Sequence, residues 1–116
     1  MFSSGQFAEL FGVSKRLLRH YNEIGLLVPA DVDRSNGYSY YSRDQLDAMK
    51  RIMYLRSLQL PLPDIKELLA NPPEAWSGGI SRHLTSIRDQ RQRLQHIETQ
   101  LESIQRRIDV GEPVIP

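Results

Sequence analysis

Lys15, Arg16, Arg19 and His20 are the side chains in this 116-residue chain whose types and spacing suggest chemistry. Three cations and an imidazole packed into less than two helical turns can donate hydrogen bonds and balance negative charge, which is what phosphates and base edges ask of a protein. Catalysis has no comparable group. No plausible nucleophile-base pair, phosphate-cradling glycine loop or metal constellation can be assembled from the remaining residues, so neither an enzyme nor a bound cofactor is expected. The histidines (His20, His83, His96) are scattered without a paired metal-ligand spacing. Absence of cysteine removes disulfide frameworks, zinc knuckles and thiolate chemistry within these residues.

The element that must position the basic cluster runs from Ser14 to Gly25. Ser14 suits an N-cap and Gly25 a C′ position, which leaves roughly three turns of helix between them. At about 100° per residue, Leu17, Leu18, Tyr21 and Ile24 share one arc and the basic residues fall on the other. Taken alone, an amphipathic surface helix with solvated charges fits this pattern as well as a recognition helix does. Its surroundings decide. Upstream, Ser3 and Gln6 have the spacing of a capping box, and Phe2 and Phe7 that of a hydrophobic staple, so a first helix begins at the terminus, with Phe7, Leu10 and Phe11 as its buried stripe. Gly12 can take a positive φ and turn the chain into the second helix. So short a connection makes the apolar faces meet across the turn, a helix-turn-helix arrangement that leaves Lys15, Arg16, Arg19 and His20 exposed.

Downstream, Leu26 to Pro29 suits a brief strand or extended segment, and Tyr38 to Tyr41 a second one. Between them Ala30 to Gly37 (ADVDRSNG) is polar, with a strong Asn36-Gly37 turn signal, so the unit reads as a β-hairpin wing. Arg34 near its tip, with Tyr38 and Tyr40 along the strand, could reach a phosphate backbone, whereas Tyr41 is expected to close the core.

The runs RLLRHYNEIGLLVP and DRSNGYSYYSRDQLDAMKRIMYLRSLQLPLPDIKELL resemble the DNA-binding domain of the MerR family of bacterial transcription regulators, over residues 2 to about 70. The family pattern is R-x-L-R-Y-Y-x-x-x-G-L-L-x-P followed by R-x-x-x-G-Y-R-x-Y. The resemblance implies Arg16 and Arg19 as recognition-helix contacts beside Ser14 and Lys15. It places His20 and Tyr21 at a tyrosine pair, and Arg34 and Tyr38 in the wing. Two departures from the pattern matter: His20 replaces the first tyrosine, and Ser39 replaces an arginine that family wings present to phosphate. The loss of a wing cation should weaken one phosphate contact or shift it to a neighbour.

Ser42 and Gln45 repeat the capping-box spacing, with Tyr41 and Leu46 in staple positions, so another helix follows. Its apolar residues are Leu46, Met49, Ile52, Met53 and Leu58, with both methionines expected in the core. Gln59-Leu60-Pro61 breaks this helix, and Pro63 suits the N1 position of the next, which carries Ile65, Leu68 and Leu69. By the resemblance, this pair is a second helix-turn-helix, and Arg56 contacts DNA phosphate. Residues 71–79 (NPPEAWSGG) read as a linker, in which Trp76 is expected to pack rather than serve as a ligand platform.

Over residues 80–109 the period becomes seven. Ile80, Ile87, Leu94, Leu101 and Ile108 form one row; Ile97 and Ile104 continue a second row begun by His83 and Gln90. Such a seam needs another helix, and a second copy of the chain is the economical supplier. The pattern leaves its orientation open; the resemblance implies an antiparallel pair.

The expected fold is therefore mainly α: a winged helix-turn-helix (residues 1–70) with a small hairpin wing, a linker, a coiled-coil dimerisation helix and a tail at 110–116. A net charge of only +1 neither demands nor excludes nucleic acid. No apolar run reaches membrane-spanning length and MFSSGQ lacks signal-peptide features, so a cytoplasmic protein without membrane contact is expected. The resemblance implies a homodimer on an inverted-repeat promoter operator, distorting the spacer so that RNA polymerase engages, under control of an effector. RRIDVGEP resembles the lead into the effector domain of multidrug-responsive members, which bind small organic molecules; a fragment and a short regulator both fit this ending. The competing class is a protein-interaction adaptor built on the same scaffold without reading DNA sequence.

Overall fold

The computed structural model describes residues 1–115; Pro116, the end of the expected tail, lies outside the described residues. The chain forms two units, Met1–Ala75 and a second from Trp76 onward. The first contains β1 (Phe2–Ser3), α1 (Ser4–Phe11), α2 (Lys15–Glu23), β2 (Asp31–Val32), β3 (Ser39–Tyr41), α3 (Asp44–Ser57) and α4 (Leu62–Leu69), then a 3₁₀ turn at Pro73–Ala75. The second is one helix, α5 (Ser77–Val110).

Local chemistry accounts for the first two helices. Ser3 Oγ accepts from the Gln6 N–H (3.2 Å) and Gln6 Oε1 accepts from the Ser3 N–H (2.9 Å), so both halves of the capping box form. Phe2 and Phe7 meet at 6.4 Å between ring centroids. Gly12 closes α1 at φ +64°, with its N–H directed to the Ala8 and Glu9 carbonyls. Ser14 Oγ then caps α2 by accepting from the Leu17 N–H at 3.0 Å. The buried arc of α1 is Phe7, Ala8 and half-buried Phe11, whereas Leu10 is 58 % exposed. The expected stripe is thus corrected: so short a helix is covered along one narrow arc, and Leu10 falls beside it.

The wing is a three-stranded antiparallel sheet in the order β1-β3-β2, with Phe2 opposite Tyr41 and Asp31 opposite Tyr40. Its hairpin is shorter than expected because Leu26 to Pro29 forms no strand. Pro29 has no N–H for a ladder, and the Gln45 side chain binds the neighbouring backbone, donating to the Val28 carbonyl and accepting from the Ala30 N–H. Tyr41 is 2 % exposed and stacks on Phe7 at 4.4 Å, which joins sheet to helix as the core role expected of it.

Only half of the second capping box forms: Gln45 Oε1 accepts from the Ser42 N–H (2.9 Å), but α3 begins at Asp44 with no side-chain cap. Met49, Ile52 and Leu55 line its buried face and Leu58 is exposed; Met53, expected in the core, is exposed as well, a second correction. One turn from Met49 by i+4 spacing rotates Met53 off the narrow face that Met49 and Ile52 share. Gln59 adopts φ +63° between α3 and α4. Leu62, with Pro61 as cap, is the first residue of α4, which puts Pro63 second rather than first. The helix α5 starts at Ser77, three residues ahead of the expected Ile80, so Gly78 and Gly79 lie in its first turn rather than in a linker. Gly111 closes it at φ +75°.

Candidate nucleic-acid interface

Burial of Leu18 (1 % exposed) and Tyr21 (4 %) fixes the rotation of α2 about its axis. Lys15, Arg16, Arg19 and His20 consequently lie on the exposed side. The Ser14 cap also holds the first turn in place: its Oγ accepts from the Leu17 N–H, which leaves the exposed O–H able to donate. Tyr21 belongs to the core, and its carbonyl accepts the Leu26 and Leu27 N–H groups. Most of its ring therefore supports the helix from the core side.

A groove of about 510 Å³ runs between the start of α1, the face of α2 and the wing. Lys15, Arg19 and Asn22 line it from α2, Ser3, Ser4 and Gly5 from the N-terminus, and Tyr38 and Ser39 from the wing. The aliphatic end of Lys15 lies over Gly5, where a Cβ would come within 3.1 Å of its Cε. The Ser4 hydroxyl donates to the Ser39 carbonyl at 3.3 Å and ties the floor of the groove to the central strand. Asn22 was absent from the sequence reading although its position three residues after Arg19 marks it as a neighbour on the same helix face. Ser3 and Ser4 gave no such signal, because only the β1–β3 pairing brings them to the wing.

The other expected contacts are distributed around this groove. His20 lines a separate recess of about 360 Å³ with Ile24, Leu62, Pro63 and Lys66. Tyr38 is 64 % exposed, while Tyr40 is half-buried on the central strand. Arg34 is exposed at the wing tip and Arg56 in the last turn of α3. The tip itself is closely bonded: the Asp33 carboxylate accepts from the Ser35 hydroxyl (2.6 Å) and N–H (2.8 Å), and Asn36 Oδ1 accepts from the Tyr38 N–H (2.8 Å). Gly37 takes φ +73° to complete the turn. The hydroxyl of Ser35, then its N–H, hold the Asp33 carboxyl below the usual carboxylate range. Arg34 is thus presented on a preorganised loop next to a fixed negative charge.

Cationic side chains converging on a groove of serine, asparagine and tyrosine polar groups suit an anionic polymer. Among the described residues no cluster of three or more His, Cys, Asp or Glu is placed to hold a metal ion, and no helix is long and apolar enough to cross a membrane.

Comparisons with known proteins agree in one direction. The sequence profile described as "MerR HTH family regulatory protein" matches residues 2–72, and one described as "MerR, DNA binding" matches residues 46–104. The transcriptional regulator BrlR of Pseudomonas aeruginosa is 39 % identical over 101 residues, covering 81 % of this chain and 37 % of BrlR. The chain thus spans little more than a third of that relative's length. The crystal structure of MtaN, the N-terminus of a Bacillus subtilis multidrug transporter activator, superposes with a TM-score of 0.76 at 27 % identity, over 88 % of this chain and 95 % of that one. A cryo-EM structure of an EcmrR–DNA complex gives a TM-score of 0.83 at 30 % identity, over 92 % of this chain and 40 % of that one.

Proposed function

Because this chain belongs to the MerR family of HTH regulatory proteins, we propose that it is a sequence-specific DNA-binding transcription regulator that grips an inverted-repeat promoter operator as a homodimer. The observation that carries the reading is the shared groove of Lys15, Arg19 and Tyr38, which sets a recognition helix and a wing side by side. In this reading Arg16 and Arg19 enter the major groove and read base edges, while Lys15 neutralises phosphate near the start of the helix. His20 donates a hydrogen bond from the far side of the same helix. Arg34, Tyr38 and Tyr40 belong to a wing that grips backbone, and Arg56 adds a phosphate contact from α3.

The helix α5 supplies the dimer. It runs unbroken for 34 residues, and Leu94, Ile97, Leu101 and Ile108 remain more than half exposed along it. An apolar row of that length calls for a second helix, and an antiparallel pairing holds two DNA-binding units apart on one face of the duplex. Contacts at both flanks without contacts at the centre allow the spacer to be bent and untwisted so that RNA polymerase engages the promoter. Such a regulator acts without catalysis, in the cytoplasm, and an effector that is a small organic molecule controls the distortion.

Selection of bound duplexes from a random pool tests this reading. The expected product is an inverted repeat whose binding weakens steeply with salt. Recovery of no enriched sequence at any salt concentration would replace the regulator with a protein-interaction adaptor.

A further inference from the structure

We infer that two copies of α5 pair in one particular antiparallel register, with Ile87 facing the partner's Ile104 and Leu94 facing the partner's Ile97. The inference rests on the antiparallel dimer proposed above and adds what selects the alignment. Apolar residues alone do not select it. Sliding one helix by a heptad sets Ile87 against the partner's Ile97 and Ile80 against the partner's Ile104, an alignment with equally many apolar layers.

The charges flanking the seam break this tie. Arg91 and Glu98 lie along one side of the apolar row, Arg93 and Gln100 along the other, all of them exposed on α5. In antiparallel pairs each flank faces the same flank of the partner. With Ile87 opposite the partner's Ile104, Arg91 comes beside the partner's Glu98, and the dyad repeats that pair. Arg93 then meets the partner's Gln100, so no like charges face one another at these positions. In the first shifted alignment Arg91 meets the partner's Arg91 and Arg93 meets the partner's Arg93, two repulsive contacts at the dyad itself. A heptad shift in the opposite direction sets Glu98 against the partner's Glu98. Flanking charges of this kind choose partner and alignment in coiled coils, because a like pair destabilises about as much as an unlike pair stabilises. At about 1.5 Å per residue, the selected register places the two Ser77 residues about 55 Å apart along the helix axis.

The test uses the lack of native cysteine. Chains of this sequence carrying Ile87→Cys and Ile104→Cys are mixed, allowed to exchange subunits and mildly oxidised. The expected product is a mixed disulfide joining one variant to the other, with little self-linking of either. Preferred linking of Ile87→Cys to Ile97→Cys overturns the register but keeps the antiparallel dimer. Self-linking at both positions without mixed product shows a parallel pair, and no linking together with monomeric sedimentation removes the dimer; either result overturns the underlying reading. As a second measurement, Arg91→Glu and Glu98→Arg should each raise the dimer dissociation constant on the order of tenfold, and the double exchange should restore it. Helical content by circular dichroism must match the parent in all three. Restoration by exchanging Arg93 with Glu98 instead would overturn the inference.

Discussion

Lys66 Nζ donates to the Ile24 carbonyl at 3.0 Å, so a side chain of α4 closes the C-terminal end of α2 from 42 residues away. That carbonyl belongs to the last turn, where helix partial charge is negative and a cation is favoured. Gly25 sits directly beneath at φ +71°, and a Cβ there would stand 3.1 Å from Nζ. The angle at which α2 leaves the core is therefore held by a glycine and a lysine together.

The first prediction follows from that pair. Lys66→Met keeps the aliphatic stem and removes the donor, and should cost about 1 kcal/mol in chemical denaturation. Gly25→Ala should cost about 1 to 2 kcal/mol from the positive φ alone. In the Lys66→Met background the alanine penalty should shrink but persist, because the clash with Nζ is relieved while the backbone strain is not. Equal penalties in both backgrounds would show that the lysine does not crowd Gly25.

A second prediction concerns the contact between Phe7 and Tyr41. Tyr41→Ala empties a buried ring position and should destabilise by about 3 to 5 kcal/mol, whereas Tyr41→Phe keeps the stack and should cost far less. Burial pushes the Tyr41 phenol above its usual value. Ultraviolet titration should therefore show one tyrosine ionising late, and Tyr41→Phe should remove it.

The wing tip yields a third prediction, on pH. The Asp33 carboxyl titrates below its ordinary value because Ser35 hydrogen bonds favour the anion. A depressed folded value means that ordering of the tip is present above the unfolded carboxyl value and is lost as pH falls through the folded one. NMR titration of Asp33 should give a midpoint below that of a free aspartate, and Ser35→Ala should move it upward. An unchanged midpoint in the Ser35 variant would discard the hydroxyl as the main cause.

Much of this architecture is legible in the sequence because its signals are local. The Ser3–Gln6 box, the Gly12 turn and the Ser14 cap each lie within a few residues of the element they define, and each forms. What the sequence concealed depends on distant partners. Two residues are too few to show a strand period, so β1 shows only through Tyr41 across the ladder. Gln45 reads as a capping residue, yet its side chain also holds Val28 and Ala30 and so displaces the expected strand. Lys66 is delivered to the Ile24 carbonyl only by the fold, from 42 residues away. Likewise the exposed helix face of the interface follows from periodicity and the short turn before it, but the groove that includes Ser3, Ser4 and Ser39 requires the sheet.

The last prediction separates reading of sequence from gripping of backbone. Arg19 lines the groove in the middle of α2, one turn from Lys15, where a guanidinium on a major-groove helix has bidentate access to guanine. Arg56 stands at the end of α3 on a different helix, exposed and away from that groove. Arg19→Ala should therefore cost about 1 to 3 kcal/mol on the selected operator and much less on unrelated duplexes, which relaxes preference at one position in each half-site. Arg56→Ala should weaken all duplexes alike and flatten the dependence of affinity on salt, since one phosphate neutralisation per protomer is lost. Asn22→Ala serves as the comparison on the same face: if Asn22 touches only backbone, it lowers affinity without changing preference. Binding titrations at several salt concentrations, on the operator and on single-position variants, measure all three. Should Arg19→Ala behave like Arg56→Ala, with a uniform loss and a flatter salt slope, Arg19 is a phosphate contact, and base reading must be reassigned to Arg16 or His20 on the neighbouring part of the helix.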